Sequence, residues 1–395
     1  MNRNVKVVFS AGLLSAFILG IFNLLFPFYL DHIGISLIDM GIIFSVSTLV
    51  IAFIRILLGE YADVYGRKKV YLASSALSAA AKSIFPFSTG QLEILVSKFL
   101  SDMGDSLRFS VHNIMLYENA KKAYAKLFSW FTVSNFILQA LGTLAFALLL
   151  AQFGYSGLFF LLAGVEVTKF LILFLYRENK KTERRRDLSL KEAYSFKLHR
   201  DLRVLAFSSA IGALGFGIAH GFLLPLYFVG KYGLDASQIS VITAIHRLSF
   251  LTTPLADGVI RRLGLRRTYI FSTLAYAFSF LVVGLITFPI VVFVPIFLIH
   301  DLFGGGIRMT ATNVIMQNLT DDEKRGRDIN AFNAVQTPMT ILAPSIAGFL
   351  AAASWDYIFV AGGLLYTVSL AVFCFFLRGE SPAFTLDYEQ GQVSS

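Results

Sequence analysis

Lys98, Asp102, Asp105, Arg108 and His112 are crowded into a stretch otherwise built largely from apolar residues. Lys98, Asp102, Asp105 and His112 follow the i, i+4, i+7, i+14 rhythm that puts side chains on one face of a helix. Arg108 stands beside that face. Two chemistries follow from the spacing. Lys98 with Asp102, and Asp105 with Arg108, make good intrahelical ion pairs, so the stripe could neutralise itself. Alternatively, the stripe lines a water-filled cavity. Lys98 and Arg108 would there meet a carboxylate or phosphate. Asp102 and Asp105 would carry protons, because burial disfavours a charged carboxylate.

A second stretch repeats the theme. It holds His300, Asp301, Gly304-Gly305-Gly306, Arg308, Asn313 and Gln317. Asp301 and Arg308 are seven apart, hence on one face of a regular helix. Three glycines in a row weaken a helix by about 1 kcal/mol each relative to Ala. They predict a bend, or close approach by another helix. Asp301 joins Asp102 and Asp105 as a proton-carrying carboxylate, and His112, His220 or His300 could serve instead.

These groups sit in elements long enough to cross a bilayer. A span needs about 20 apolar residues, and twelve such stretches are read at 6–30, 37–58, 70–88, 91–117, 126–152, 156–176, 204–230, 236–257, 268–288, 290–317, 329–353 and 356–378. The bulk numbers agree. The 395 residues are 56% apolar and 15% charged, with mean hydropathy +0.68. A soluble domain carries about 25% charged residues, so most of this chain's outside faces lipid. The net charge of +9 lies in loops, which argues against nucleic acid as a partner. The one cysteine, Cys374, excludes an intrachain disulfide and a thiolate metal cluster. No removable signal peptide is expected at the N-terminus.

The chain is written twice. Pro27-Phe28-Tyr29 answers Pro225-Leu226-Tyr227, and Gly66 answers Gly264, both at an offset of 198. Gly104, Arg108 and Asn113 answer Gly304, Arg308 and Asn313 at an offset of 200, and Phe160 and Gly164 answer Phe359 and Gly363 at 199. The division expected is a six-helix bundle at 1–176, a basic linker at 177–203, a second bundle at 204–378 and a polar tail at 379–395. Cations crowd the loops on one side, whereas the opposite loops hold one, Lys231. That bias places both termini in the cytoplasm, with the plasma (inner) membrane as the expected location.

Between the second and third spans runs Gly59-Glu60-Tyr61-Ala62-Asp63-Val64-Tyr65-Gly66-Arg67-Lys68-Lys69. It resembles the signature loop of the major facilitator superfamily, roughly G-x-[LY]-A-D-x-x-G-R-[KR]-[KR]. The resemblance implies twelve helices in two bundles related by a pseudo-two-fold, and secondary transport by alternating access. It also implies that Gly59, Asp63, Gly66, Arg67 and Lys68, with Gly264 in the second half, form a cytoplasmic gate. The second copy is degraded, with Arg261 where Asp63 stands in the first. In this superfamily the first, fourth, seventh and tenth helices line the cavity. By resemblance, then, Asn23 and His220 join Lys98, Arg108, His112 and Arg308 there. Asn333 of the eleventh span is a possible substrate donor or an interhelical hydrogen bond. Arg55 and Lys169 are expected to snorkel toward the cytoplasmic interface, Glu166 to pair with Lys169, and His246 and Arg247 to lie mid-span. Lys82 has no evident role.

Several readings are excluded. There is no G-x-x-x-x-G-K-[ST] loop, so ATP-driven pumping is not expected. No H-E-x-x-H, C-x-x-C or G-x-S-x-G appears, so the chain is not read as an enzyme, and neither cofactor nor metal is expected. The partners expected are lipid, a small solute and a proton or other coupling ion, with the chain a monomer. The leading expectation is proton-coupled transport of an organic anion or zwitterion. Efflux of lipophilic drugs by proton antiport is an alternative, and a receptor or scaffold that does not transport is a third.

Overall fold

A computed structural model describes residues 2–120, 124–177, 198–320, 325–377, 381 and 384, with the backbone alone at 54–65, 110, 124–126, 129 and 325–327. Among these residues the chain is helical, with no strand and no cis peptide bond. Eight helices are long and apolar enough to cross a membrane by length and composition. The expected fifth and sixth spans fall in one stretch, Trp130–Phe174, broken at Gly154, whose φ of 63° ends one helix and starts the next. The fourth span, Gln91–Asn119, is not among the eight because of its own charged stripe.

Local chemistry sets many boundaries. Asn2 caps the first helix, Arg3–His32, by accepting from the Asn4 amide at 3.3 Å. Ser36 caps the second, Leu37–Tyr65, accepting from the Asp39 amide at 3.1 Å and donating to its carboxylate at 2.6 Å. Glu93 returns to the Thr89 and Gly90 amides before the fourth span. Gly66 and Gly264 adopt φ of 88° and 77°, a region closed to most side chains. Each separates two helices at the matching point of its half.

The chain divides into two compact units. One comprises residues 1–186, 222–248 and 344–353, the other 187–221, 249–343 and 354–395. In the first unit the helix Arg3–His32 packs along Tyr124–Phe174. Gly20 and Gly142 let their backbones touch. A Cβ at Gly20 would come 2.1 Å from the Gln139 carbonyl oxygen, and one at Gly142 would come 2.3 Å from that of Phe17. Small residues at helix contacts are the usual basis of close packing in membranes. Phe22, Phe26, Phe85 and Phe159 fill the interior with rings 4.9–6.5 Å apart. The second and eleventh spans also meet in this unit, where Ser345 donates to Ser45 at 2.8 Å.

In the second unit, Arg200–Ala219, Leu265–Leu285 and Asp356–Phe376 pack together. Ser208 and Ser369 exchange hydroxyl-to-carbonyl bonds of 2.8 and 2.7 Å across the first and last of these. Three spans are interrupted, the eighth by a 3-10 stretch over Phe250–Leu255. The seventh stops at Ala219 and its helix resumes at Leu224. The tenth contains a π-helical turn over His300–Gly305. Gly304 and Gly306 there admit Tyr276 and Thr253, each within 2.7 Å of where a Cβ would stand. The glycine run therefore serves the close approach that its sequence predicts, beside a π-helical turn.

Candidate functional site

In the fourth span both local ion pairs form. Lys98 Nζ binds both oxygens of Asp102, and Arg108 reaches Asp105 at 3.2 Å. Asp102 also accepts from Ser47 of the second span at 2.6 Å. The Lys98 ammonium lies over the Phe44 ring, 4.7 Å from its centre. His112 is buried, its Nδ1 3.0 Å from the Tyr71 hydroxyl. The stripe thus neutralises much of its own charge along one helix. Asp105, whose side chain is 40% exposed, opens on a small pocket with Ser15, Phe22, Lys82 and Glu166.

Lys82 has a partner after all. Its ammonium lies 3.2 Å from Glu166 Oε1, while Glu166 Oε2 binds Lys169, and Lys169 donates to Ser15 at 3.2 Å. The Glu166–Lys169 pair is as the sequence predicts. The snorkelling expected of Lys169 is not seen, since its side chain is 1% exposed. A carboxylate and a hydroxyl within reach hold the ammonium inside. The arrangement carries two cations on one anion, and both lysines also act electrostatically on Asp105. Spacing along one helix could not reveal it, because Lys82 and Glu166 belong to the third and sixth spans.

In the second unit, Arg308 donates to the Tyr269 hydroxyl and to Thr273 Oγ1, each at 3.3 Å. Its guanidinium lies 5.3 and 5.4 Å from the centres of the Tyr269 and Tyr366 rings. Among the described residues no carboxylate lies within ion-pair distance of Arg308. A π-helical turn over His300–Gly305 lies between Asp301 and Arg308, so their seven-residue spacing does not follow a regular α-helix. Asp301 instead accepts from Ser249 at 3.2 Å and lies 3.3 Å from His300 Nε2.

The other expected residues are dispersed. Asn23 is half-buried in the first helix, and Asn333 is exposed in the eleventh span. In the fifth span Gln139 donates to Asn135, a bond within one helix rather than between two. His220, at the end of Arg200–Ala219, stacks on Phe216, with centroids 4.5 Å apart, and its ring lies 5.5 Å from that of His300. His246 is buried in Ala236–Ser249. In the loop after the second span, Arg67 pairs with Glu118 and Lys68 donates to the Phe174 carbonyl at 2.9 Å. The side chains of Arg55, Gly59 and Asp63 lie outside the described residues. Asp257, in the degraded copy, makes an exposed i, i+4 pair with Arg261 at 2.9 Å.

Helical throughout its described residues, with charged and polar groups buried inside membrane-length helices, the chain has the make-up of a polytopic membrane protein. The chain is a member of the major facilitator superfamily, whose sequence model matches residues 8–246 and again 205–393. Solved structures show the same fold. A point mutant of the nucleoside transporter NupG superposes with a TM-score of 0.81 at 14% identity, covering 95% of this chain and all of that one. A bacterial homologue of the iron transporter ferroportin gives 0.77 at 17%, covering 94% and 98%. The human organic anion transporter MFSD10 gives 0.63 at 16%, covering 94% and 99%. The protein is therefore an integral membrane transporter of a small solute, not an enzyme, with its helices in two bundles.

Proposed function

We propose that this transporter moves a small organic anion or zwitterion by alternating access of its two repeats, coupled to protons. The observation that carries this reading is Arg308. A half-buried intramembrane cation with no carboxylate within ion-pair distance among the described residues is costly in a membrane protein and is by default functional. Its hydroxyl and ring neighbours fix the guanidinium without neutralising it. A carboxylate or phosphate would complete the site, and the planar fork suits such groups bidentately. Asp102 and Asp105, half-buried, and Asp301, buried, supply carboxylates for proton coupling. The repeat at offsets of 198–200 supports rocking of related halves about a central site.

The reading includes the division into 1–176, the linker 177–203, 204–378 and the tail 379–395. It also includes a monomer in the plasma (inner) membrane with both termini cytoplasmic, as the cation bias requires, and Gly59, Asp63, Gly66, Arg67, Lys68 and Gly264 as its gate. The test begins with purified protein and a panel of carboxylates, phosphate monoesters and amino acids, each scored by its rise in melting temperature. Hits are then followed as uptake into proteoliposomes, with and without an imposed pH gradient. Saturable uptake that accelerates with the gradient is expected. Uptake indifferent to the gradient removes proton coupling. A panel in which only lipophilic cations bind transfers the protein to drug efflux. Absence of transport for every binder transfers it to a receptor role.

A further inference from the structure

His220, His300 and Asp301 bring one potential ligand atom each to within 4.8 Å of the others. His300 and Asp301 are fully buried and His220 is half-buried. The sequence separates His220 from the other two by 80 residues or more, so no spacing rule joins them. We propose that these three side chains bind a divalent first-row transition-metal ion, a site additional to the Arg308 anion site.

Three observations support this. The first is tautomer. His300 Nδ1 faces the Phe297 carbonyl within hydrogen-bond distance. A carbonyl can only accept, so Nδ1 carries the hydrogen and the neutral ring turns the lone pair of Nε2 the other way. That is the orienting bond a metal-binding histidine ordinarily makes through its second nitrogen. The second is separation. Nε2 lies 3.3 Å from Asp301 Oδ1. A tetrahedral ion bonded at about 2.0–2.1 Å to each of two such atoms holds them about 3.3 Å apart. The third is support. Ser249 holds the other oxygen of Asp301 at 3.2 Å. The rings of Phe297, Phe280 and Tyr276 surround His300 at 4.5, 4.8 and 5.3 Å. Both ligand-bearing segments interrupt their helices, His220 at a helix end and the other two in a π-helical turn. Such irregularities gather at functional sites.

Two imidazoles and one carboxylate select the borderline metals, Fe²⁺ through Zn²⁺, over Ca²⁺ or Mg²⁺. The rival occupant is a proton, which would make His300 and Asp301 an ordinary ion pair.

The experiment uses the full-length chain in detergent, free of any affinity tag and stripped with a chelator, titrated with Co²⁺ and then Zn²⁺. One Co²⁺ per chain with visible d–d bands is expected, displaced by Zn²⁺. H220Q, H300Q and D301N are each expected to weaken binding by at least the roughly tenfold that a change outside the ligand sphere costs. H32Q/H199Q, which removes two exposed histidines, should bind as the parent does. Absence of stoichiometric binding, or binding unchanged in H300Q and D301N, overturns the site in favour of the proton. Loss of binding in H32Q/H199Q overturns it in favour of the surface. X-ray absorption of the Zn²⁺-loaded parent needs no variant and guards against misfolding. Imidazole scattering from two rings is expected, and its absence is equally fatal.

Discussion

Lys82 Nζ lies 3.2 Å from Glu166 Oε1 with both side chains 3% exposed, although they belong to different spans. Lys169 holds the other oxygen, so one carboxylate compensates two ammonium groups. Removing the carboxylate should therefore cost more than removing either lysine. Breaking a buried pair by deleting one partner costs about 3–5 kcal/mol. Glu166→Gln is expected in that range, read as a lower melting temperature in detergent. Lys82→Met leaves the Glu166–Lys169 pair intact and should cost clearly less. Equal losses in the two variants would show that the lysines do not share the carboxylate.

Arg308 predicts a split between charge and shape. Arg308→Ala should weaken binding of the transported anion about 10–100-fold, the equivalent of a charge-assisted bond of about 1.5–3 kcal/mol. Arg308→Lys restores the charge without the fork and should recover only part of it. Competition binding with the best ligand of the thermal panel checks both. Full activity in Arg308→Ala would remove the residue from the substrate path.

Ser45 and Ser345 meet at 2.8 Å, one from each repeat. If the repeats rock, that contact must open once per cycle. A Ser45→Cys/Ser345→Cys pair in a Cys374→Ser background should lose uptake on oxidation and regain it on reduction. Uptake unaffected by a quantitatively formed disulfide would contradict alternating access at this contact.

Gly20 offers a test of packing alone. A methyl there meets the Gln139 carbonyl oxygen at 2.1 Å, a backbone atom that cannot turn aside. Gly20→Ala is expected to destabilise by about 1–3 kcal/mol through overpacking. Gly164→Ala, where a Cβ would meet nothing within 4 Å, should be close to neutral. Melting temperatures of the two variants, measured side by side, decide the matter.

What the sequence by itself determined was whatever depends on one helix at a time. Apolar length set the spans, and the offsets between matching motifs set the two halves. Gly66 and Gly264, matched in the sequence, stand at the turns where positive φ is found. Lys98–Asp102, Asp105–Arg108 and Glu166–Lys169 were legible as pairs because i+3 and i+4 neighbours meet in any α-helix. Only tertiary structure decided the rest. Lys82 found Glu166, His220 came beside His300, and a π-helical turn formed at His300 and Asp301. The physical reason is that a local pattern says which face of a helix is polar. It does not say how far that helix is rotated or shifted against its neighbours, and a shift of one residue changes every partner across the contact.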